Sequence, residues 1–580
     1  MNSDLSIYID IETDGLDPTV IWCACAKDSN GATLVTRDSS ELQAWLKERE
    51  GATVYAHNGI RFDYPVLTRL WGQSWGAFTT RDTMVLSYLY NPSLDGGHSL
   101  ESWGIRLKRG KGAHGDWSQW SPEMEQYCQQ DVEVLEALVK YFEKQDLAPE
   151  AVQLEHEVAQ IIHQQILNGW LLDQEHCFLL LAQLKEKKLE LEEEVRKVFV
   201  PLPSPGKTIQ PKYKKDGTMS TVGLKCLGED CLVLAGGPFS VVDYSPFNLG
   251  SRQQVAKHLQ FYGWKPTVFT ETGQPQVNEK TLEGVDIPQA ALIAEYFMVE
   301  KRIGQVSSWL EAVGPDGRVH GNVRTNGAVT GRMTHDNPNM GQVTARKKPF
   351  GKESRQAWVV PKGYKLVGCD AEGLELRMLA HYMNDPDYIK TVVEGNQDAG
   401  TDVHTVNQRA AGLDTRDTAK TFIYAYLYGA GDEKIGSIIG GSAAEGRKLK
   451  AKFLRATPAL ANLRDAVENA SRRGWLKGLD GRRIHVRSTH AALNTLLQGG
   501  GAVVMKKALV IMDKHLKLRG IDYKFVGNIH DEVQVEVRAD QAPTAAWLLP
   551  ACIEAAGKEL GLRCPMAGKS AIGNNWSETH

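Results

Sequence analysis

No stretch of about 18 consecutive apolar residues occurs in this chain, so a membrane-spanning helix is not expected. Charge of one sign is lacking too: 67 Lys and Arg stand against 71 Asp and Glu, a net charge of -4. Global basicity therefore advertises no polyanionic partner, and any such binding must rest on local patches. Cysteine is sparse, with nine in 580 residues, odd in number and scattered. That argues against a disulfide scaffold and fits reduced thiols in a cytoplasm. Cys226 and Cys231 have no matching second pair, so a zinc site is not expected. The N-terminus carries an acid, Asp4, where a secretory signal carries bases, so export is not expected either. Repeats and low-complexity tracts are missing. What is there is an ordinary globular composition, 42% hydrophobic and 24% charged, at a length suggesting about four folded units.

Residues 1–150 alternate strand-like and helix-like segments, as an α/β domain does. Two helical stretches follow, Leu154–Leu167 and Gln174–Phe199, separated by Asn168-Gly169-Trp170. Their apolar seam, with Leu180, Leu184, Leu191 and Val195 among many Lys and Glu, predicts a long helical hairpin. Residues 200–247 break the pattern. Pro201, Pro203, Pro205 and the run Lys212-Tyr213-Lys214-Lys215 predict an exposed, basic, irregular segment. Helical character resumes from Ser251 to about Val313, and mixed strands and helices run from there to the C-terminus.

Ile7-Tyr8-Ile9-Asp10-Ile11-Glu12 reads as a strand. Asp10 and Glu12 then share a face, about 6.5 Å apart along it. Two carboxylates that close repel, and the repulsion invites a cation. Asp63 follows a turn, in Ala56-His57-Asn58-Gly59-Ile60-Arg61-Phe62-Asp63. Tyr127 and Asp131 fall on one helical face at i, i+4. Any one of these alone is more often a polar surface than a site. Together, in this order, Asp10, Glu12, Asp63, Asp131 and Tyr127 resemble the proofreading 3′–5′ exonucleases with four acids and a tyrosine. The resemblance implies a ribonuclease H-like domain whose acids hold two Mg²⁺ or Mn²⁺ ions, with Tyr127 orienting the attacking water.

A second set of acids lies far along the chain. Tyr364–Asp370 reads as a strand ending in an acid, and a helical run from Leu374 to His381 follows. Tyr523–Ile529 and Val533–Val537 read as strands joined by the turn His530-Asp531-Glu532. A strand-end acid and a hairpin acid can meet across a sheet and share cations. Between them, residues 415–429 read as a helix. Arg416, Lys420, Tyr424 and Tyr428 recur every four residues on one slowly drifting stripe, two cations and then two rings. Such a stripe suits a triphosphate followed by a base.

Asp370 with Glu375, the Arg416/Lys420/Tyr424/Tyr428-Gly429 helix, and His530-Asp531-Glu532 resemble the three polymerase motifs of the DNA polymerase I family, family A. The segments Gly321–Arg332, Asn337–Gln342, Leu479–Arg483 and Leu493–Gly499 fit the same pattern, so the likeness covers nearly the whole chain. Phage replicative members look most similar. The resemblance implies an α/β and α+β multidomain fold. It comprises an exonuclease domain at 1–150, a thumb at 151–318, palm at 319–385 and 480–580, and fingers at 386–479. The proofreading motif begins at Asp10, so no 5′ nuclease domain is expected before it.

It also implies roles. Asp370 and Asp531 would hold two Mg²⁺ ions. Arg416, Lys420 and His404 would hold the triphosphate, with Lys420 a proton donor to pyrophosphate. Tyr424 and Ala371 would line the incoming nucleotide, and Glu375 would block a ribose 2′-hydroxyl. Tyr428, Gly429, Arg332, Gln498, His530 and Glu532 would contact primer–template DNA, Glu532 as a supporting acid. Lys301-Arg302 is a further phosphate contact under this reading. The implied partners are primer–template DNA and dNTPs, with thioredoxin or another processivity factor, helicase-primase and single-strand binding protein as further partners. The segment 200–247 is shorter than the insertions that recruit thioredoxin in some relatives. The expected location is the cytoplasm of a bacterial host.

Overall fold

The structure is a computed structural model that describes residues 4–110, 112, 114–199, 201–210, 212–218, 220, 238–245, 247–283 and 285–580. The chain divides into two compact units, Met1–Asp173 with Ala312–His580, and Gln174–Glu311.

In the N-terminal part of the first unit, Ser6–Thr13 is the central strand of five. The order is Thr33–Thr36, Ile21–Asp28, Ser6–Thr13, Thr53–Ala56 and Thr79–Asp82, the first three antiparallel and the rest joined in parallel. Strand alternation sends Ile7, Ile9 and Ile11 into a core with Leu42, Leu46 and Leu67. The other face turns Tyr8, Asp10 and Glu12 toward the helix Pro122–Glu143.

The C-terminal part is built on a four-stranded antiparallel sheet ordered Tyr523–Ile529, Glu532–Arg538, Tyr364–Ala371 and Gly568–Gly573. Helix Ala542–Glu559 packs on this sheet and on the long helix Ala492–Leu518. Six helices, from Pro386–Glu394 to Pro458–Ser471, fill the span between Met383 and Trp475. Ala492–Leu518 lies in the one helical stretch among the described residues long and apolar enough to cross a membrane, but 83% of its apolar window is buried inside the protein. It is a core helix. Gly499 and Gly500 explain how its neighbours come so close: a Cβ there would sit 2.6 Å from Ile484 Cδ1 and 2.5 Å from Met378 Cε.

The helical hairpin expected from the sequence is replaced by two separate pairings. Pro149–Asn168 packs on Ala492–Leu518 and on the strand Tyr523–Ile529, with Leu154, Val158 and Ile162 in the large core. Gln174–Val198 instead packs along Pro288–Glu311. The compact unit therefore begins at Gln174, not at the expected boundary of 151.

In this second unit the two long helices pack along each other, joined by Lys188–Glu300 and Lys187–Glu295 ion pairs of 3.3 and 3.4 Å. Arg252 lies 3.5 Å over the Phe297 ring. The segment expected to be irregular has ordered ends, since Leu202–Ile209 and Phe239–Ser245 pair as an antiparallel ribbon. Cys226 and Cys231 lie outside the described residues. Arg302, expected to reach phosphate, is buried and bonds Gln305 Oε1 at 3.1 Å, which leaves only Lys301 of that pair exposed.

Candidate active sites

At the first site, side-chain ligand atoms of Asp10, Glu12 and Cys128 lie within 4.8 Å of one another. Asp131 comes from the helix Pro122–Glu143, capped by Ser121, and Tyr127 lies one turn before it. Asp63 is the first residue of helix Asp63–Trp71 and is buried. Burial pushes its carboxyl up to about 8, with the nearby charges of Asp82 and Asp131 adding to the rise. Asp10 and Glu12 thus face the helix that carries Tyr127 and Asp131, and Asp63 lies within electrostatic reach of Asp131.

Two residues here escaped the sequence reading. Cys128 directs its Sγ to Asp10, 3.4 Å from the backbone oxygen and 3.6 Å from Oδ2. The available signal was its place three residues before Asp131 on the same helix. Asp82 is buried and accepts the backbone N–H groups of Asn58, Ile60 and Met84 at 2.9, 3.1 and 2.8 Å. It thus caps the helix Thr83–Tyr90 and shapes the loop that leads to Asp63. Its own N–H donates to His156 Nε2 at 2.9 Å, while His156 Nδ1 faces Val152 O at 2.7 Å. Burial lowers His156 to about 4, so it is neutral, with its proton on Nδ1. An Asp directly before an apolar helix was the missed cap signal. Asp82→Ala should strand these donors, costing about 1–3 kcal/mol of stability. It should also lower 3′–5′ degradation far more than primer extension. Equal losses of both activities in parallel assays would refute the positioning role.

At the second site, Ala371 N–H bonds Asp531 O at 3.0 Å, and Asp370 pairs across the sheet with Glu532. This register sets Asp370 beside Asp531. Burial, then the charge of Asp531, pushes Asp370 up to about 7. Asp531 is raised as well, by burial and then by Glu375. The tight turn puts His530 at φ 60°, the left-handed region that a side chain enters at a cost. Burial, then Arg332, lowers the His530 imidazole.

Glu375 heads the helix Leu374–Met383. Its Oε1 takes an ion pair from Arg332 at 3.1 Å and a hydrogen bond from Tyr428 Oη at 3.3 Å. Tyr424 stacks near Tyr428, with ring centroids 6.4 Å apart, and His404 lies 6.1 Å from Tyr424. Asp402 caps His404's helix and holds Arg416 at 2.9 Å. Arg416 and Lys420 in turn lower His404, after burial. Gly429 ends this run at φ 75°. Gln498 is turned to Asn494 Oδ1, at 2.9 Å, on its own helix.

Glu532 needs correcting. It opens the strand Glu532–Arg538 rather than closing the turn. Its carboxylate is buried and taken up by Gln534, Trp576 and His580, at 2.5, 2.5 and 2.9 Å. It supports the site from within and has no free edge for DNA. His580, which the sequence reading did not single out, reaches it from the far C-terminus.

A strand-borne acid pair, a second acid pair at the edge of an antiparallel sheet, and a helix bearing two cations and then two rings define a nucleic-acid polymerase architecture with an attached nuclease fold. The chain belongs to DNA polymerase family A, whose family model matches residues 229–578. It is 33% identical to the DNA-directed DNA polymerase of Escherichia phage T7 across 99% of this chain and 100% of that one. It is 34% identical to the corresponding polymerase of Enterobacteria phage T3 across 93% and 94% of the two chains. The fold is similar to the POL domain of Pol1 from M. smegmatis, solved in complex with DNA primer-template and dNTP. The TM-score is 0.77 at 19% identity, covering 99% of this chain and 96% of that one. Members of the family use divalent metal ions for catalysis.

Proposed function

We propose that the chain extends a primer on a DNA template with dNTPs at Asp370 and Asp531, and proofreads at Asp10, Glu12, Asp63 and Asp131, in phage genome replication. The observation that carries this is the placing of Asp370, at the end of its strand, beside Asp531, in the turn that leads into the neighbouring strand, next to the Arg416–Tyr428 stripe. Under this reading residues 319–385 and 480–580 are palm, 386–479 fingers, and the Gln174–Glu311 unit lies in the thumb.

Both acid sets fit divalent cations. Asp63 at about 8 and Asp370 at about 7 are carboxyls whose ionised forms are penalised by burial and by neighbouring acids, and a cation offsets that penalty. Two Mg²⁺ ions per site, when bound, supply a more acidic 3′-hydroxyl or water and charge for the leaving group. The chain's own residues do the rest. Arg416, oriented by Asp402, and Lys420 grip the triphosphate, and Lys420 gives its proton to pyrophosphate. Tyr424 packs on the incoming sugar and base. Arg332, aligned by Glu375, and Gln498 test the minor-groove edge of the primer terminus. Tyr127 orients water at the exonuclease acids.

Primer extension with all four dNTPs tests the proposal. A wild-type protein that degrades primers but never extends them would sink it. Extension on a long template with and without thioredoxin asks whether the 200–247 segment serves a processivity partner. Glu375 is the proposed ribose filter, held in place by Arg332 and Tyr428. Glu375→Ala should raise ribonucleotide incorporation relative to deoxynucleotide about tenfold or more. Glu375→Gln, which keeps the volume, should raise it less. An unchanged ratio in Glu375→Ala removes the filter assignment.

A further inference from the structure

One charged surface is not absorbed by either site. Arg346, Lys347, Lys348 and Lys352 place four cations within seven positions, and all four are exposed. Among the described residues none of them has an anionic partner, whereas surface bases such as Lys27, Lys140 and Arg447 are paired. Unpaired like charges held together repel, so their retention points to an anion from outside.

The loop is built to hold them still. Lys348 N–H bonds Ala345 O and Gly351 N–H bonds Lys348 O, each at 2.9 Å. Gly351 is required where it stands, since a Cβ there would collide with Ala345 O. Phe350, at φ 58°, makes the return into the helix Gly351–Gln356. Arg355 on that helix donates Nε–H to Thr344 O at 3.1 Å, which ties the start of the loop to its end.

Arg355 also fixes where the loop sits. Its guanidinium lies 4.3 Å over the Trp576 ring and 3.8 Å from Glu532, whose strand partner is Asp370 and whose preceding residue is Asp531. The four cations are thus one short helix away from the polymerase acids. The triphosphate already has Arg416 and Lys420 on a different element. A protein partner would be expected to meet exposed aromatic or aliphatic groups as well, and no exposed large hydrophobic residue lies within 344–356. We infer that the Arg346–Lys352 loop is a fixed clamp on the sugar–phosphate backbone of the primer–template duplex next to the polymerase acids.

The inference rests on the polymerase reading, and one experiment separates the two. Binding of the full chain to a fluorescent primer–template is measured over a range of salt concentrations. The comparison is wild type against the triple variant Lys347→Ala, Lys348→Ala, Lys352→Ala, with matching thermal midpoints as the check on folding. Each phosphate that is no longer neutralised should flatten the slope of log K against log salt by about 0.9. Flattening by about 2–3 in the triple variant is the expected result. An unchanged slope overturns the clamp while leaving the polymerase reading intact. Absence of duplex binding by the wild type overturns that reading itself. Weakened capture of a polyglutamate peptide with unchanged duplex binding would assign the loop to an acidic protein partner and also overturn the clamp.

Discussion

Asp370→Ala or Asp531→Ala should remove primer extension, by about 10³-fold or more, and leave 3′–5′ degradation of single strands in place. The double variant Asp10→Ala, Glu12→Ala should do the reverse. The separation follows from the fold, because the two acid sets stand on different sheets. Extension that survives either polymerase substitution would place the chemistry elsewhere. The same acids carry a pH signature. Asp370 sits at about 7 against an ordinary value of 3.8, raised by burial and then by Asp531. The folded chain therefore holds a proton there, between those two values, that the unfolded chain has given up. In the absence of a cation its contribution to stability is full below the lower value, declines as pH rises to about 7, and is flat above it. A cation must displace that proton. The Mg²⁺ concentration for half-maximal extension should rise up to about tenfold per pH unit below the folded value, and level off above it. A requirement for Mg²⁺ that does not change with pH would contradict this.

Glu155→Ala should be the most destabilising single substitution in the chain's interior, by about 3–5 kcal/mol. Glu155 is fully buried on helix Pro149–Asn168, and both Arg482 Nη1 and Lys506 Nζ lie 2.6 Å from its Oε1. Arg482 is also held by Asp480 at 2.6 Å, and Lys506 Nζ donates to Asn326 Oδ1 at 3.3 Å. Burial has lowered Lys506 to about 8 despite the pull of Glu155. Removing Glu155 leaves the ammonium with no anion in contact and lowers it further. The double change Glu155→Leu, Lys506→Met removes anion and cation together and should cost less than Glu155→Ala alone. Urea midpoints of the three proteins decide the matter. A loss below about 1 kcal/mol in Glu155→Ala would mean that water reaches the cluster.

The candidate acids stood out in the sequence because their signals are local. Period two put Asp10 and Glu12 on one strand face, and steps of four put Tyr127 beside Asp131 and set Arg416, Lys420 and Tyr424 on one drifting stripe. The bounds of Gln174–Val198 were also close to the sequence reading. What failed was partnership. Periodicity shows which face of a helix is apolar but not what covers it, so Pro149–Asn168 was paired with its neighbour in sequence instead of with Ala492–Leu518. Glu532 was assigned to a turn because three polar residues in a row look like one. Its true environment depends on Trp576 and His580, which no local pattern connects to it. Asp82 was missed because a cap acid and a surface acid read alike until the fold buries one of them.

Helix Pro149–Asn168 has one further consequence. Two successive residues look in different directions: Glu155 grips Arg482 and Lys506, while His156 receives the N–H of Asp82. The helix is a keel common to the parts that carry the two acid sets, and those parts fall within a single compact unit. Heat should silence both activities at the same temperature. Under the proposed function, correction should not melt away first and leave a careless copier running.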